Sequence, residues 1–295
     1  MGRSRPRTGS PTRPHQAHPN GPDVWCWARC VASLRSRGPS AGRTRDRCDR
    51  RQLRGGRATV ELLLVECARA ATCARDGERL ARAWAQQQDP LYLHAGDVRD
   101  ETAMDGFIRA AGERFGRIDA VVANAGEGFP GTFTEATPED WLAELEGKVL
   151  GVVLPVRAAL PWLRRSDAGR VVLIGAPIAR EPEPTLVAAS AARAALANLA
   201  RSMATELAAD EILVNTVSLG VIDTERQQAV HAASRSTQPY EQWAADCVRR
   251  RAVPLGRMGR PEEVAPVIAL LASPLASYVS GADVTVAGGA GHSTH

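Results

Sequence analysis

Lysine is almost missing from this chain, because Lys148 is the only one against 36 arginines. Such a bias is typical of a GC-rich genome. An Arg at a position where a related protein has Lys is therefore only weak evidence that the chemistry has changed.

Long apolar runs are missing as well, and none approaches the ~18 residues that cross a membrane. We therefore expect one or two globular domains, with no membrane partner.

Cysteine is scarce and unevenly placed. Five of the six cysteines lie in the first quarter of the chain, and no two form a Cys-x-x-Cys pair. This spacing is not typical of a disulfide framework or of a zinc site. We expect free thiols, a reducing and therefore cytoplasmic location, and no bound metal.

Acidic residues are rare at the amino terminus. Residues 1–58 hold 14 Arg against 3 Asp, although the whole chain has a formal net charge of only +4. The remainder is mildly acidic, which argues against binding of nucleic acid by the folded part. Residues 1–57 are rich in Arg, Pro, Ser, Gly and His without helical or strand periodicity, and we predict disorder or an out-of-frame segment. A transit peptide has a similar composition.

The clearest pattern lies between Gly169 and Thr224. A short apolar run at 170–174 predicts a buried strand, and the run at 212–217 predicts a second one. Between them, apolar residues recur at helical spacing: Leu196, Leu199, Ala200, Met203, Ala204 and Leu207. A strand, helix and strand in this order imply parallel pairing with a right-handed crossover.

Four motifs carry a resemblance to a known family. Val-Asn-Thr-Val-Ser-Leu-Gly-Val-Ile-Asp-Thr (214–224) resembles the sixth-strand signature of the short-chain dehydrogenase/reductase family. The Asn-Ala-Gly at 124–126, the Pro-Leu-Gly-Arg segment from 254 and the run at 278–289 are similar to three further family elements. The resemblance, which is to 3-oxoacyl-carrier-protein reductases in particular, implies a doubly wound, Rossmann-like α/β fold. It predicts a seven-stranded parallel sheet over 58–291 and a mobile tail at 292–295.

The resemblance also implies a cofactor site and a reaction. The expected cofactor is NADP(H) rather than NAD(H), because Arg75 matches an Arg that binds the adenosine 2′-phosphate. The expected reaction interconverts a hydroxyl and a carbonyl on a small-molecule substrate such as a 3-oxoacyl chain, in a homodimer or homotetramer. Besides Arg75, the cofactor-binding residues implied are Asp97, Val98, Asn124, Ala125, Gly126, Arg193, Gly220, Ile222 and Thr224.

The catalytic residues of that family are replaced in this chain. Ala189 stands at the position of the proton-donating Tyr, Arg193 at that of the Lys one turn later, and Ala176 at that of the Ser. Lys148 stands where the family usually has an Asn. Loss of a positioned acid costs ~10²- to 10⁴-fold in rate. The alternative function is therefore a catalytically inactive homologue that acts as a subunit or binding module.

The first strand and its phosphate-binding glycine loop are the second departure. Five of the six residues at 46–51 are charged, whereas a central parallel strand must be apolar on both faces. Read one base later, one possible coding sequence for 46–54 gives Ile-Val-Val-Thr-Gly-Gly-Ser-Ser-Gly, which is an apolar strand followed by the family's loop. We hypothesise a local frameshift, and we predict that the first strand of the sheet is missing or badly formed.

Overall fold

The computed structural model describes residues 30–33, 55–66, 68–86, 91–126, 128, 130–234 and 236–291. Its seven strands are β1 (Cys30–Ser33), β2 (Arg69–Ala74), β3 (Leu91–Ala95), β4 (Ala120–Ala123), β5 (Arg170–Gly175), β6 (Leu213–Leu219) and β7 (Asp283–Val286). They form one sheet in the order β3-β2-β1-β4-β5-β6-β7. The predicted seven-stranded α/β fold is confirmed.

Helices flank the sheet on both faces. The helices are α1 (Gly55–Val65), α2 (Gly77–Ala83), α3 (Glu101–Phe115), α4 (Pro138–Leu145), α5 (Gly151–Leu163), α6 (Val187–Glu206), α7 (Glu225–Ala233), α8 (Tyr240–Arg250) and α9 (Pro261–Ala272). One core packs α3, α5 and α6 against the sheet, and a second packs α1 and α9 against its other face. None of the described helices is long and apolar enough to cross a membrane.

The centre of the sheet differs from the prediction. Strand β1 fills the position between β2 and β4, but it runs antiparallel to both of them. Its sequence is Cys-Val-Ala-Ser, a short and mostly apolar run. It lies within the segment whose composition predicts disorder, whereas the charged residues 46–51 lie outside the described residues. The other six strands are mutually parallel, as expected.

A five-residue π-turn, Glu146–Leu150, joins α4 to α5. Its backbone signature is the N–H of Gly151 donating to the carbonyl of Glu146, five residues earlier. Such turns insert one extra residue into a helix and are frequent at functional sites. The helical segment is therefore continuous from α4 to α5, but its two halves differ in phase.

Helix α9 begins with an ion pair that should respond to pH. Both terminal nitrogens of Arg257 donate to Glu263, at 2.7 and 2.8 Å, and the backbone N–H of Arg260 donates to the same carboxylate at 2.8 Å. The hydrogen bonds from Arg257, and then that from Arg260, lower the pKa of Glu263 from its usual 4.5 to about 2. The charged carboxylate therefore stabilises the folded state above its unfolded pKa.

We accordingly expect Glu263→Gln to lower the Tm at pH 7 by about 2–4 °C, which corresponds to a loss of about 1 kcal/mol at a helix start. The difference from the unsubstituted chain should shrink as the pH falls from about 4.5 to about 2, because the native carboxyl then becomes protonated too. Thermal unfolding followed by circular dichroism across this range measures the effect. A difference that does not change with pH would contradict it.

Candidate active site

The candidate site lies where β4, β5 and β6 end, at the carboxyl edge of the sheet. In a doubly wound sheet this edge is where ligands bind. Gly126 and Gly128 follow β4, Ala176 follows β5, and the segment 220–224 follows β6. Helix α6 and the π-turn pack beside these loops, so they carry their side chains toward the same space.

A buried ion pair forms one wall of the site. Lys148 Nζ donates to Glu144 Oε2, and the two side chains are 3% and 0% exposed. Glu144 lies in the last turn of α4 and Lys148 lies in the π-turn, and both residues are buried. A β-carbon built on Gly126 would lie 3.5 Å from Lys148 Cγ. The pair therefore lies directly beside the loop that follows β4.

Arg193 lies in the second turn of α6, beside that pair. Its Nη1 donates to the backbone carbonyl of Ile174, at the end of β5, and its Nη2 lies 3.8 Å from the β-carbon position of Gly126. Burial, and secondarily the positive charge of Arg226, lowers the pKa of Arg193 to about 10. The guanidinium therefore remains charged at neutral pH, in a setting that disfavours its charge.

Arg226 enters the site from the first turn of α7. Its Nη2 donates to the backbone carbonyl of Gly128 at 3.1 Å. A β-carbon built on Gly128 would lie 3.0 Å from that nitrogen and 3.9 Å from both Ala189 Cβ and Glu144 Oε1. The guanidinium of Arg226 therefore occupies the neighbourhood of Ala189, the position that the resemblance assigns to the proton donor.

The two positions that the resemblance assigns to the hydroxyl-bearing Ser and Tyr carry only methyl groups. Ala189 is 2% exposed in the first turn of α6, and Ala176 directly follows β5. The nearby hydroxyl of Ser190 accepts a hydrogen bond from the backbone N–H of Glu183 at 3.2 Å. It is thus used to hold the loop before α6, as the helical geometry predicts for a side chain pointing away.

The predicted adenosine end is formed by the loops after β2 and β3. Asp97 accepts hydrogen bonds from the backbone and side chain of Arg99. Burial raises the pKa of Asp97, but these hydrogen bonds and the charges of Arg99 and Arg75 outweigh it, so the net pKa is lowered. Arg75 is exposed and Val98 is buried. The structure thus brings Arg75 and Asp97 together.

The predicted nicotinamide loop follows β6 and is tightly packed. A β-carbon on Gly220 would lie 2.7 Å from the backbone of Ala287, so only glycine fits there without a backbone shift. The side chains of Ile222 and Thr224 are buried, and Ile222 forms a parallel bridge with Gly259. The loop is therefore held from two sides.

Helices α7 and α8 cover the loop, and polar contacts attach them. Glu225, at the start of α7, pairs with Arg79 of α2 at 3.1 Å. The hydroxyl of Tyr240 donates to Asp223, and its ring packs on His231 and Trp243. Burial, reinforced by the hydrogen bond to Asp223, raises the pKa of Tyr240 well above its usual value. This tyrosine is therefore a poor proton donor.

A cavity of about 560 Å³ opens beside Ala176 and Ser218. The loop 287–291 lines it, together with Arg180 and Asp283, which form an ion pair at 3.0 Å. The other carboxylate oxygen of Asp283 is buried without a hydrogen-bond partner in the described part of the chain. This cavity reaches from the end of β5 to the edge strand β7.

Sequence reasoning missed Glu144 and Arg226. Glu144 had a readable signal, since it precedes Lys148 by four residues, which is the spacing of an ion pair on a helix. Arg226 had none, because only the fold brings the start of α7 to the loop after β4. The remaining predicted site residues lie at the carboxyl edge of the sheet, but their roles stay predictions.

Comparison with known proteins gives relatives along most of the chain. The family model described as Enoyl-(Acyl carrier protein) reductase matches residues 56–291. The 2,3-dihydroxy-2,3-dihydro-p-cumate dehydrogenase of Pseudomonas putida is 34% identical over 213 residues, which are 72% of this chain and 78% of that protein. The 3-oxoacyl-[acyl-carrier-protein] reductase of Vibrio cholerae is 28% identical over 65% of this chain and 75% of that protein.

Solved structures give a similar result. A short chain oxidoreductase of Pseudomonas aeruginosa PAO1, described as containing an atypical catalytic center, is 41% identical, with a TM-score of 0.74 in the apo form and 0.73 with NADPH bound. The apo comparison covers 82% of this chain and 94% of that one. The L-sorbose reductase of Gluconobacter frateurii, solved with NADPH and L-sorbose, is 26% identical with a TM-score of 0.75, over 80% of this chain and 92% of that one.

Proposed function

The chain belongs to the short-chain dehydrogenase/reductase family of oxidoreductases, and we propose that it uses NADP(H) to interconvert a carbonyl and a hydroxyl with a rebuilt proton-transfer site. The observation that carries this proposal is the convergence of Lys148, Glu144, Arg193 and Arg226 beside Gly126 and Gly128. A site that had merely decayed would have no reason to keep a buried ion pair and two guanidinium groups there, because buried charges are costly.

The choice of NADP(H) is supported by the adenosine end. Arg75 follows β2, and its positive charge acts on Asp97 of the neighbouring loop. A guanidinium group at this place suits a phosphate on the adenosine ribose. The NADPH-bound forms of the Pseudomonas aeruginosa and Gluconobacter frateurii relatives favour the same choice.

The residues present fit the cofactor at both of its ends. Arg75 and Asp97 would hold the adenosine end, and Gly126, Arg193 and the loop through Gly220 would hold the nicotinamide end. For the pyrophosphate, α1 begins at Gly55 and has no acidic residue in its first turn, so its N-terminus favours an anion. When bound, NADPH supplies a hydride to the carbonyl carbon.

The chain itself must supply the proton that the carbonyl oxygen takes up. Lys148 is the best candidate, because its amine is buried and paired with Glu144, and its Cγ lies 3.5 Å from the β-carbon position of Gly126. After proton transfer the neutral amine regains a proton from solvent. Arg193 is held by the carbonyl of Ile174 and orients the reacting end of the cofactor, and Arg226 can polarise the carbonyl. Neither guanidinium is a good proton donor.

The substrate that we propose is a 3-oxoacyl or similar carbonyl compound. The Vibrio cholerae relative is named for this chemistry, and the family model is described by a related acyl-carrier reaction. The alternative is a non-catalytic subunit or binding module that forms a homodimer or homotetramer. It is favoured by the methyl groups at Ala176 and Ala189 and by exposed leucines on α4 and the π-turn, Leu142, Leu145 and Leu150.

Fluorescence titration with NADPH and NADH, followed by NADPH oxidation with a panel of ketones and 3-oxo acids, tests the proposal. We expect micromolar to low millimolar binding of NADPH, weaker binding of NADH, and turnover of at least one carbonyl compound. Arg75→Gln should reduce the preference for NADPH by about 10-fold, as expected for one lost charge-assisted contact. The exposed Arg82→Gln serves as the matched control. Binding of neither cofactor would favour the non-catalytic alternative.

A further inference from the structure

We propose that the ion pair between Arg79 and Glu225 is a clasp that holds α7 closed over the cofactor crevice, so that NADP(H) enters and leaves when the clasp opens. The inference rests on the proposed function for the identity of the ligand. It depends on where the ion pair lies above the sheet, on how little else holds α7, and on the rigidity of the helix at the other end.

The clasp joins two distant parts of the carboxyl edge of the sheet. Helix α2 follows β2 and α7 follows β6, and these strands are four positions apart, or about 19 Å at ~4.8 Å per strand. The side chains of Arg79 and Glu225 nevertheless meet at 3.1 Å. The first turn of α7 therefore reaches back across the edge, from the side of β6 toward that of β2.

The crevice where a doubly wound sheet binds its ligand lies beneath this turn. The strand order reverses between β1 and β4, and ligands bind at such a switch point. Glu225 attaches the turn to α2 on one side, and Arg226 attaches it to the carbonyl of Gly128, after β4, on the other. A dinucleotide that extends from Arg75 to the loop at Gly220 would pass under this turn.

Helix α7 is held by little apolar packing. None of its residues, 225–233, is buried, and the side chain of Val230 is exposed. In contrast, α8 buries Trp243 and Val248 in a small core of its own. A helix without a buried face opens at a low free-energy cost, so the polar contacts of its first turn decide whether α7 is closed.

The other end of the clasp is fixed. The backbone N–H of Arg79 donates to Asp76, the N-cap of α2, at 2.9 Å, and a β-carbon built on Gly77 would lie 2.9 Å from Ala95 Cβ at the end of β3. The side chains of Arg79 and Glu225 are 22% and 35% exposed, so water competes for both charges. We therefore expect α7 to move and α2 to stay, as in the opening of a lid.

The first measurement is amide hydrogen exchange of the full chain without ligand. Arg79→Gln changes no residue of α7, yet the amides of α7 should exchange about 2- to 5-fold faster, because the lost ion pair contributes that factor to closure. Glu225→Gln should act in the same way, and the double variant should be no faster than Glu225→Gln alone. Glu241→Gln removes an exposed acid from the first turn of α8, so this matched control should leave α7 unchanged.

The second measurement is stopped-flow fluorescence with NADPH. Glu225→Gln should raise the association and dissociation rate constants by the same factor of about 2 to 5, and leave the Kd almost unchanged, because opening precedes both entry and exit. Loss of an ordinary binding contact would raise the dissociation rate constant alone. Glu241→Gln should leave both rate constants as they are in the unsubstituted chain.

Unchanged exchange of α7 in Arg79→Gln, or a dissociation rate constant that rises alone in Glu225→Gln, would overturn the inference and leave the proposed function in place. Absence of NADPH binding to every variant would defeat the proposed function and the gating of NADPH together. The exchange rates would then decide by themselves whether the ion pair holds α7.

Discussion

Replacement of Lys148 with methionine is expected to abolish NADPH-linked turnover and to lower the free energy of unfolding by about 3–5 kcal/mol. The stability loss arises because Glu144 is 0% exposed and would remain buried without the amine that it binds. The activity loss arises because the proposed proton source is gone, which costs ~10²- to 10⁴-fold in rate. Chemical denaturation and steady-state kinetics measure the two effects separately.

A second substitution distinguishes the structural role of Lys148 from its catalytic role. In Glu144→Gln/Lys148→Met the buried charge is removed from both partners, so most of the lost stability should return while turnover should not. Lys148→Arg is the matched control for charge, since it keeps a cation but is a poor proton donor. Full activity of the stable double variant, or of Lys148→Arg, would contradict the role assigned to Lys148.

Restoring the glycine loop is expected to tighten NADPH binding by about 100-fold or more. In this variant residues 46–54 become Ile-Val-Val-Thr-Gly-Gly-Ser-Ser-Gly. Two additional backbone N–H groups on a pyrophosphate, each a hydrogen bond to a charged group worth about 1.5–3 kcal/mol, are sufficient for that gain. The new apolar strand would also compete with β1 for the position between β2 and β4, and it would pair in the parallel direction of its neighbours.

The measurement is a fluorescence titration with NADPH of the chain as it stands and of the restored chain. A control with alanine at the three restored glycines keeps the apolar strand and removes the close backbone approach, so it should bind no better than the chain as it stands. Equal affinity of all three would mean that the loop does not limit cofactor binding. In that case NADPH binding would give no support to the frameshift hypothesis.

Most of the fold was predictable because its elements have strong local patterns. Strand β5 is an almost continuous apolar run, and α6 carries apolar residues at helical spacing. Their boundaries differ from the prediction by a few residues, as is usual for helix ends. Such elements follow from the residues that they themselves contain.

The central strand could not be predicted, since nothing near it in sequence signals its place. Residues 30–33 are a four-residue apolar run in an Arg-rich segment, and a run this short does not distinguish strand from helix or loop. Its position depends on pairing with β2 and β4, which lie far from it in sequence.

The candidate site was predictable only in part, for the same reason. Ala176, Ala189 and Arg193 were assigned to catalytic positions from motifs on either side of them, and this assignment stays a prediction. Arg226 was not, since its contact with Gly128 spans 98 residues of sequence. The half-buried state of Arg193 likewise depends on the end of β5 and on α7, neither of which is local to it.

The π-turn between α4 and α5 also affects how this helix is compared with those of other proteins. An uninterrupted α-helix over the same span holds one residue fewer. A sequence alignment without a gap can therefore be correct at α4 or at α5, but it is displaced by one position at the other helix. Glu144 and Lys148 lie on opposite sides of the start of that turn. The residue equivalent to Lys148 in a relative without the turn is therefore defined by superposing coordinates at Gly126, and not by counting along the chain.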